Sequence, residues 1–433
     1  PGQGESASAL IITKGAKLFA EGTGVNPIVF TAESDDVSDA YDLVLPATNL
    51  WGGIIILGEA QINTSTGKGN IEGIPVDARS EYGGSDDNNN SGVLRYISVR
   101  HGGTDIGSGN EINGVTLGAV GSGTTLDHIE VFQNNDDGFE WFGGKPKCKY
   151  LVSAFNADDA FDHDEGIRSS MQFLFAIQDP DFGNALGEHD GGTDPEDGNP
   201  YAFPQSYNVT FLGSGMSSAN ADNDNAFNIR DNWGGLYKNS IFGDYAGIAM
   251  KIEDLATGED SKQRLDDGQI VFQNNIWFNF GGGNDFNALG KNDYESAYLN
   301  DPTNANTIVN PELNGVSRTA YGETLNPTVS SGSAAYTNLA SYPAGDDFYD
   351  VVNYKGAFGQ TNWLKGWTAL DYYGYLAPEK TSATVVTVTD ADINSGDQVY
   401  WTADNTYILD GLVYVEDGAV LNIEAGTVVK AKT

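Results

Sequence analysis

The stretch IEVFQNNDDGFEWFGG (129–144) is followed closely by LVSAFNADDAFDHDEG (151–166). The second stretch repeats the first, so that Asp136 matches Asp158, a step of about 22 residues. Such a step accommodates three short strands and three turns, which make one coil of a three-sided parallel β-helix. A leucine-rich repeat has a similar period but requires the pattern LxxLxLxxN, which this chain lacks. The repeat therefore predicts an all-β fold, a right-handed parallel β-helix with about 22 residues per coil.

Less regular segments separate the coils. Three coils share the pattern Asn-x-x-Phe, beginning at Asn208, Asn239 and Asn275, and we expect these amides to stack at one corner. The aromatic-rich segment Gly356 to Leu370 is expected to cover the last coil, because an open end would expose strand edges. Long segments rich in Gly, Asp and Asn predict corner loops at residues 82–92, 104–113, 179–204, 255–267 and 281–320.

The chain is strongly acidic, with 61 Asp and Glu against 22 Lys and Arg and a formal net charge of −39 over 433 residues. This charge argues against nucleic-acid binding, which needs basic residues for phosphate contacts, and against docking on anionic lipid. It favours cations as partners. The single cysteine, Cys148, excludes an intramolecular disulfide. No apolar run approaches the ~18–20 residues of a membrane span.

The end of the chain repeats the pattern of its beginning. The stretch GLVYVEDGAVLNIEAGTVVKAKT (411–433) alternates short apolar strands with Gly turns, as residues 10–29 also do. We therefore expect two neighbouring coils of one solenoid at opposite ends of the chain. The matched segments are 412–415 with 10–13, 418–421 with 15–18, and 428–429 with 28–29.

These patterns divide the chain into a β-helix body with its aromatic cap (1–376), a polar linker (377–382) and the leading coils of the same β-helix (383–433). We expect the leading coils to pack before residue 1, within the chain or on a neighbouring subunit. The contact between Thr433 and Pro1 is then the predicted assembly junction. Three explanations of this order stay open: a circular permutation, one unit of a tandem array, or a fibre that continues from subunit to subunit.

Several motifs together carry a family resemblance: GLVYVEDGAVLNIEAGTVVKAK, SALIITKGAKLFAEGT, NPIVFTA, WGGIIILG, NNDDGFEWFGG, KYLVSAFNADDAFDHDEG, MQFLFAIQ and YKGAF…NWLKGWT. When the two ends of the chain are joined, the sequence with these motifs resembles a family of secreted right-handed β-helix proteins from Bacteroidetes-type bacteria. The resemblance covers most of the chain and implies an exported, often surface-attached protein. That family has no established reaction, so no catalytic residue is carried over, and this chain is permuted relative to the family's usual order.

Acidic residues recur from coil to coil and form the candidate metal site. Neighbouring coils lie about 4.8 Å apart, so like charges at repeated positions repel unless a cation, a shared proton or water intervenes. Calcium takes about six to eight oxygen ligands, which such carboxylates supply, and the loop Glu188 to Asn199 is a second candidate. Alternatively, the aspartates cap turns through backbone amides. The predicted calcium ligands are Asp136, Asp137, Glu140, Asp158, Asp159, Asp162, Asp164 and Glu165.

The function that these observations favour is structural or adhesive, with export to the cell surface or the extracellular space. Copies of the chain are expected to assemble head to tail into a filament that calcium stabilises. One alternative is a calcium-dependent polysaccharide lyase or a glycoside hydrolase, because paired carboxylates serve as acid and base. Another is a surface protein that binds extracellular polysaccharide without turnover. The catalytic residues of the enzymatic alternative would be Asp136, Asp158, Asp162 and Arg168.

Overall fold

Parallel strands dominate the structure, a computed structural model that describes residues 8–104, 112–378, 384–402, 405–424 and 427–432. Strands are numbered β1 to β31 along the chain. One sheet forms side one of the solenoid. Its eight strands, in spatial order, are β1 (Leu10–Ile12), β4 (Ile54–Leu57), β8 (Val115–Gly118), β10 (Phe139–Phe142), β12 (Phe161–Asp164), β15 (Gly187–Asp190), β18 (Asn225–Arg230) and β21 (Ile248–Ile252).

A second sheet wraps around sides two and three. Its fourteen strands are β2 (Leu18–Glu21), β3 (Ile28–Phe30), β7 (Gly92–Arg100), β9 (Thr125–Phe132), β11 (Lys147–Ala154), β13 (Ser170–Gln172), β14 (Phe175–Ile177), β16 (Gln205–Tyr207), β17 (Thr210–Leu212), β19 (Gly235–Lys238), β20 (Ile241–Tyr245), β22 (Ile270–Gln273), β23 (Ile276–Phe280) and β24 (Thr307–Ile308). All the pairings within these two sheets are parallel, as a β-helix requires. Phe139 pairs with Phe161 on side one, and Thr125 pairs with Lys147 on side two. The predicted parallel β-helix is confirmed.

The smaller elements lie in loops and in the C-terminal part of the chain. The short antiparallel pairs are β5 (Gly69–Asn70) with β6 (Glu81–Tyr82) and β25 (Leu313–Gly315) with β26 (Asn326–Val329). The helices are α1 (Ser261–Asp266), α2 (Asp293–Asn300) and α3 (Ala369–Tyr372), with 3₁₀ turns at Phe286–Ala288, Pro302–Asn304, Ala334–Tyr336 and Asp390–Asp392. None of the helices in the described segments has the length and apolarity that a membrane crossing requires.

The bend between sides two and three is made by one residue per coil in the left-handed backbone region. Tyr96, with φ 50°, and Asn208, with φ 54°, are examples. This region is uncommon for residues other than glycine, so its recurrence marks a built corner. The first rings of the row stack, with 4.2 Å between the centroids of Tyr96 and His128. The corner row consists of Tyr96, His128, Tyr150, Phe173, Asn208, Asn239 and Asn274.

The C-terminal part of the body runs back along this corner as a strap, defined here as residues 338–376. The amide of Asn274 donates to the carbonyl of Asn338, and the ring of Trp367 meets Tyr96 edge-on at 5.8 Å. The strap thus passes from the last coils to the first. The aromatic segment 356–370 lies along the side of the solenoid, so the expectation that it covers the last coil is wrong.

The corner asparagines bind the strap, and the expected stacking of their amides does not occur at Asn208 and Asn239. Asn239 donates to the carbonyl of Ala340 and accepts from its backbone N–H, and Asn208 donates to the carbonyl of Tyr354. Asn275 does tie neighbouring coils, since its Oδ1 accepts from the backbone N–H of Ser240. The sequence predicted hydrogen bonds among the corner amides. The amides of Asn208 and Asn239 instead bond the backbone of the strap, which is distant in sequence.

A buried carboxylate fixes the end of the strap. Glu130 is fully buried and accepts from the backbone N–H groups of Ala369 and Leu370, at 2.6 and 3.3 Å. Ser98 donates its hydroxyl to Glu130 at 2.5 Å and accepts from buried Arg100 at 2.9 Å. Burial raises the pKa of Glu130, while Arg100 and the donors favour its charged form. The first turn of α3 is therefore held by a buried carboxyl group.

The C-terminal part of the chain, from 384 to 432, forms a separate small stack of coils and is called here the C-terminal section. Val388, Ile393, Trp401 and Tyr407 form its core. Its parallel strands are β27 (Thr384–Val388), β28 (Gln398–Trp401), β29 (Asn405–Leu409), β30 (Val420–Ile423) and β31 (Val428–Ala431), paired in the orders β27-β29-β31 and β28-β30.

The division of the chain at the linker stays a prediction. Residues 379–383 of the linker, and both Pro1 and Thr433 of the predicted junction, lie outside the described residues. Within the described residues, the strands of the C-terminal section pair only with one another. The body is closed at its downstream end by α2, where the hydroxyl of Tyr298 bonds the backbone of Ile270 and Phe272.

Replacing Glu130 by leucine should detach the strap. The change removes the acceptor for two buried backbone N–H groups and for the Ser98 hydroxyl. A loss of about 1–3 kcal/mol in the free energy of unfolding is expected from the unsatisfied donors. Urea unfolding followed by tryptophan fluorescence measures it, with exposed Glu33→Leu as the matched control. Equal midpoints for the two variants would contradict the anchoring role.

Candidate functional site

The outward-facing positions of side one change character along the solenoid. In the first coils, outward Ile55 and Leu57 are covered by an apolar loop cluster that includes Ile62, Ile71 and Tyr82. The next coils present carboxylates at the same position, since Glu140 pairs with Asp162 and Asp162 pairs with Glu188. The row ends in Asn228 and Lys251. We call the face formed by β10, β12 and β15 the acidic groove.

Eight carboxylates were predicted as ligands on the first two coils of this groove, and the structure brings five of them together. Asp136, Asp137 and Asp158 form one group, and Asp137, Glu140 and Asp162 form another. In each group, one oxygen per residue lies within 4.8 Å of the others. Asp137 belongs to both groups. Such oxygen clusters match the donor set that calcium prefers.

Two of the aspartates, Asp137 and Asp159, also accept hydrogen bonds from backbone N–H groups in turns, as the alternative interpretation predicted. The backbone N–H of Asp159 donates to Oδ1 of Asp137 at 2.9 Å, and Asp159 in turn accepts from the backbone N–H of Ala185. These bonds point the two carboxylates along the stack of coils. Because a carboxylate has two oxygens, Asp137 caps a turn and still offers an oxygen to the cluster.

Burial and mutual repulsion raise the pKa values of the clustered carboxyls. The pKa of Asp137 is held well above its usual range by burial and by the charges of Asp136 and Asp159. For Asp162 the cause is burial followed by the charges of Glu140 and Asp137. At neutral pH such a cluster holds protons or needs cations. A group of this kind can bind a divalent ion or act as a general acid.

Asp164 and Glu165 lie at the wall of the groove, apart from the two clusters. Burial and the nearby Asp164 charge raise the pKa of Glu165 to about 8, and Tyr82 donates its hydroxyl to Glu165 at 2.8 Å. Thr193 donates to Asp164. Glu72, from the same loop as Tyr82, also has a raised pKa because of burial and Asp164.

Sequence reasoning missed the cationic side of the groove. Arg230 forms ion pairs with Asp190 at 2.7 Å and with Glu188 at 3.2 Å, and Asn228 donates to Glu188. Burial raises the pKa of Asp190 to about 8, although the pairing with Arg230 favours its ionised form. Glu188 was placed in a loop, but it starts the repeated pattern Glu-His-Asp on β15. That repetition of Asp162-His163-Asp164 was the available signal.

Arg168 takes up a different position from the one its proposed role requires. Both terminal nitrogens of its guanidinium donate to Asp87, at 2.7 and 2.8 Å, and one also reaches the carbonyl of Gln61. These contacts fix the loop that borders the groove. His163, beside the acidic positions in sequence, points inward and stacks on His189 with 4.3 Å between ring centroids.

Comparison with known proteins agrees with this architecture. A model of the pectate-lyase-like β-helix domain family matches residues 2–325, three quarters of the chain, and the chain belongs to that family. Membership fits a polysaccharide-related or surface β-helix protein. No curated protein and no solved structure matches this sequence significantly.

The groove should make stability depend on pH and on calcium together. These carboxyls have higher pKa values in the folded chain than in the unfolded chain. Their contribution to the free energy of unfolding is therefore complete below about pH 4. It is lost as the pH rises through the folded-state pKa values, which reach about 8 for Glu165 and Asp190. Calcium at about 100 times its Kd would add about 2.7 kcal/mol. We therefore expect calcium to raise the unfolding temperature more at pH 8 than at pH 5.

Calorimetry at both pH values checks this prediction with a charge-removal variant, Asp137→Asn/Glu140→Gln/Asp162→Asn. The variant should lose the calcium effect and should have a smaller pH slope, because Glu165 and Asp190 still titrate. A matched variant at exposed positions, Glu33→Gln/Asp293→Asn/Glu323→Gln, should keep them. An identical calcium response in the two variants would rule out the groove as the binding site.

Proposed function

We propose that this protein binds acidic polysaccharide through divalent cations held in the acidic groove. The observation that carries the proposal is the convergence of Asp136, Asp137, Glu140, Asp158 and Asp162 into two overlapping clusters that share Asp137. A cation bound there would offset the repulsion among the carboxylates. Its remaining coordination positions would lie on the side of the partly exposed Asp136, Asp158 and Asp162, where carboxylates of a uronate-containing polymer can occupy them.

Two further features support a polymeric ligand. Side one is the side that the strap leaves uncovered, because the strap follows the corner between sides two and three. Arg230 lies one coil beyond β15 and offers a guanidinium, with its side chain 41% exposed, for direct contact with a carboxylate of the same polymer. The groove thus combines cation ligands and a fixed cation along the solenoid axis.

Hydrolysis of a glycosidic bond is the second candidate. Closely spaced carboxyls can divide the roles of acid and base or nucleophile between them, and Asp136, Asp158 and Asp162 stay the proposed catalytic groups. Burial raises the pKa values of Asp158 and Asp162. Elimination is less favoured, because a lyase needs a base beside the cation. Arg168, suggested for that role, is bound to Asp87, and Arg230 is bound to Asp190.

The proposal includes an exported protein at the cell surface or in the extracellular space, with copies arranged head to tail. Such an array would present many grooves to one polymer and increase the overall affinity by multivalency. The acidic composition, with a net charge of −39, is compatible with an extracellular environment that contains divalent cations.

Polygalacturonate is the first polymer to test. Titration calorimetry should detect binding in the presence of calcium and a loss of at least about tenfold in affinity after chelation, since about 1.4 kcal/mol corresponds to tenfold. Asp137→Asn/Glu140→Gln/Asp162→Asn should behave like the chelated protein, and Glu33→Gln/Asp293→Asn/Glu323→Gln like the native one. Calcium-independent binding equal in both variants would refute the proposal.

New reducing ends in the same samples would indicate hydrolysis, and ultraviolet-absorbing unsaturated ends would indicate elimination.

A further inference from the structure

We infer that side two of the solenoid carries a second sugar-binding site, which takes one carboxylate-bearing sugar residue without a metal ion. The site is a cavity of about 340 Å³ between the first residues of β9 and β11 and the strap, and it is called here the lysine pocket. Ligand sites in proteins begin at about 300 Å³. The lysine pocket is separate from the acidic groove. Its lining includes Thr125, Asp127, Lys147, Lys149 and Phe348.

Two lysines of β11 face the cavity because side chains alternate along a strand. Cys148 is fully buried in the core, so Lys147 and Lys149 on either side of it point outward. Lys147 pairs with Thr125 on the preceding coil. The ammonium groups of the two lysines lie 5.6 and 5.0 Å from the ring centroid of Phe348. Two positive charges are therefore held beside one aromatic wall.

Lys147 is the positive charge that is left for a ligand. Lys149 forms an ion pair with Asp350 at 2.8 Å. The carboxylate of Asp127 is met by Arg95 at 3.1 Å. Lys147 is exposed and forms no ion pair with any described residue, although the chain has 61 acidic residues. A lysine ammonium group makes its strongest hydrogen bonds with ionised acceptors such as a carboxylate.

The other lining groups suit a sugar ring. The hydroxyl of Thr125 forms no hydrogen bond within the described segments, and a hydroxyl can both donate and accept. Exposed Asp347 also lines the cavity, and its carboxylate can accept from a sugar hydroxyl. Phe348 supplies an apolar wall for the C–H face of the ring. An aromatic wall with a few convergent polar groups is typical of small-molecule sites.

The aromatic wall is held in place by its neighbours in the strap. Tyr349, next to Phe348, donates its hydroxyl to the carbonyl of Gln205 at 3.1 Å. The backbone N–H of Asp350 donates to Oε1 of Gln172, and the amide of Gln172 donates to the carbonyl of Asp350, both at 2.8 Å. These bonds tie the strap to β13 and β16 beside the cavity. A wall that is fixed in advance lowers the entropic cost of binding.

Saturation-transfer NMR in the presence of a chelator tests the lysine pocket with three probes. Galacturonate has both the ring and the carboxylate, galactose has only the ring, and acetate has only the carboxylate. A ligand of the size of galacturonate should bind with a Kd of about 1 mM, and the two partial probes at least about tenfold more weakly. Equal binding of galactose would overturn the role of Lys147, and equal binding of acetate would overturn the sugar site.

Three variants locate the bound sugar. Lys147→Gln changes an exposed position, so it should melt as the native protein does and bind galacturonate at least about tenfold more weakly. Phe348→Leu removes the ring but keeps the anchors at Tyr349 and Asp350, and it should also weaken binding. Lys291→Gln, at an exposed lysine without an ion pair in the described segments, is the matched control and should bind normally. Unchanged binding in Lys147→Gln would overturn the site, as would a native protein that does not bind galacturonate.

The lysine pocket and the acidic groove can be tested separately. Asp137→Asn/Glu140→Gln/Asp162→Asn should keep the binding of galacturonate in chelator, because the lysine pocket is untouched. Lys147→Gln should keep the calcium-dependent part of polygalacturonate binding and the effect of calcium on the unfolding temperature. Loss of galacturonate binding in the groove variant would place the sugar in the groove and overturn the lysine pocket.

Discussion

Every coil of the solenoid stacks on the next in a common register, which places equivalent side chains about 4.8 Å apart. For apolar residues this spacing is favourable, and the rings of Phe139 and Phe161 stack with 5.5 Å between their centroids. The same register places Glu140 beside Asp162, where two carboxyls removed from water repel each other. A row of identical acids is therefore costly unless protons or cations join it. In this fold the repulsion among stacked carboxyls occurs in the acidic groove. Clusters of carboxyls with raised pKa values are candidates for functional sites.

The sequence was most informative where coils follow each other without insertions. Asn134 bonds Asn156, 22 residues away, and the pairing of Glu140 with Asp162 could be read from the same step. Beyond β12 the loops lengthen, and Glu188 lies 40 residues from Asn228, with which it bonds. No fixed period connects such residues, so Glu188 and Arg230 could not be assigned to the groove by counting. The 22-residue step was sufficient to predict the fold and the carboxylates on β10 and β12. It was not sufficient to predict Glu188 and Arg230.

The strap shows a second limit of sequence reasoning. Its aromatic residues indicated a cover for exposed apolar surface, and they do cover such surface, but on the side of the solenoid instead of its end. The choice depends on partners such as Glu130, 239 residues before Ala369, whose buried carboxyl group no local pattern reveals. Left-handed residues at the corner row were equally hidden at its start, since Tyr and Phe are not residues that usually adopt this conformation.

The strap also sets a limit on how this solenoid can change in evolution. Repeat proteins usually grow or shrink by duplicating or deleting a unit, because each unit contacts only its neighbours. Here one extended segment touches the coil of Asn274 near one end and the coil of Tyr96 near the other. A duplicated coil would lengthen the stack by about 4.8 Å, which takes about one or two additional extended residues to bridge. The strap therefore acts as a ruler, and the number of coils can change only if its length changes in the same step.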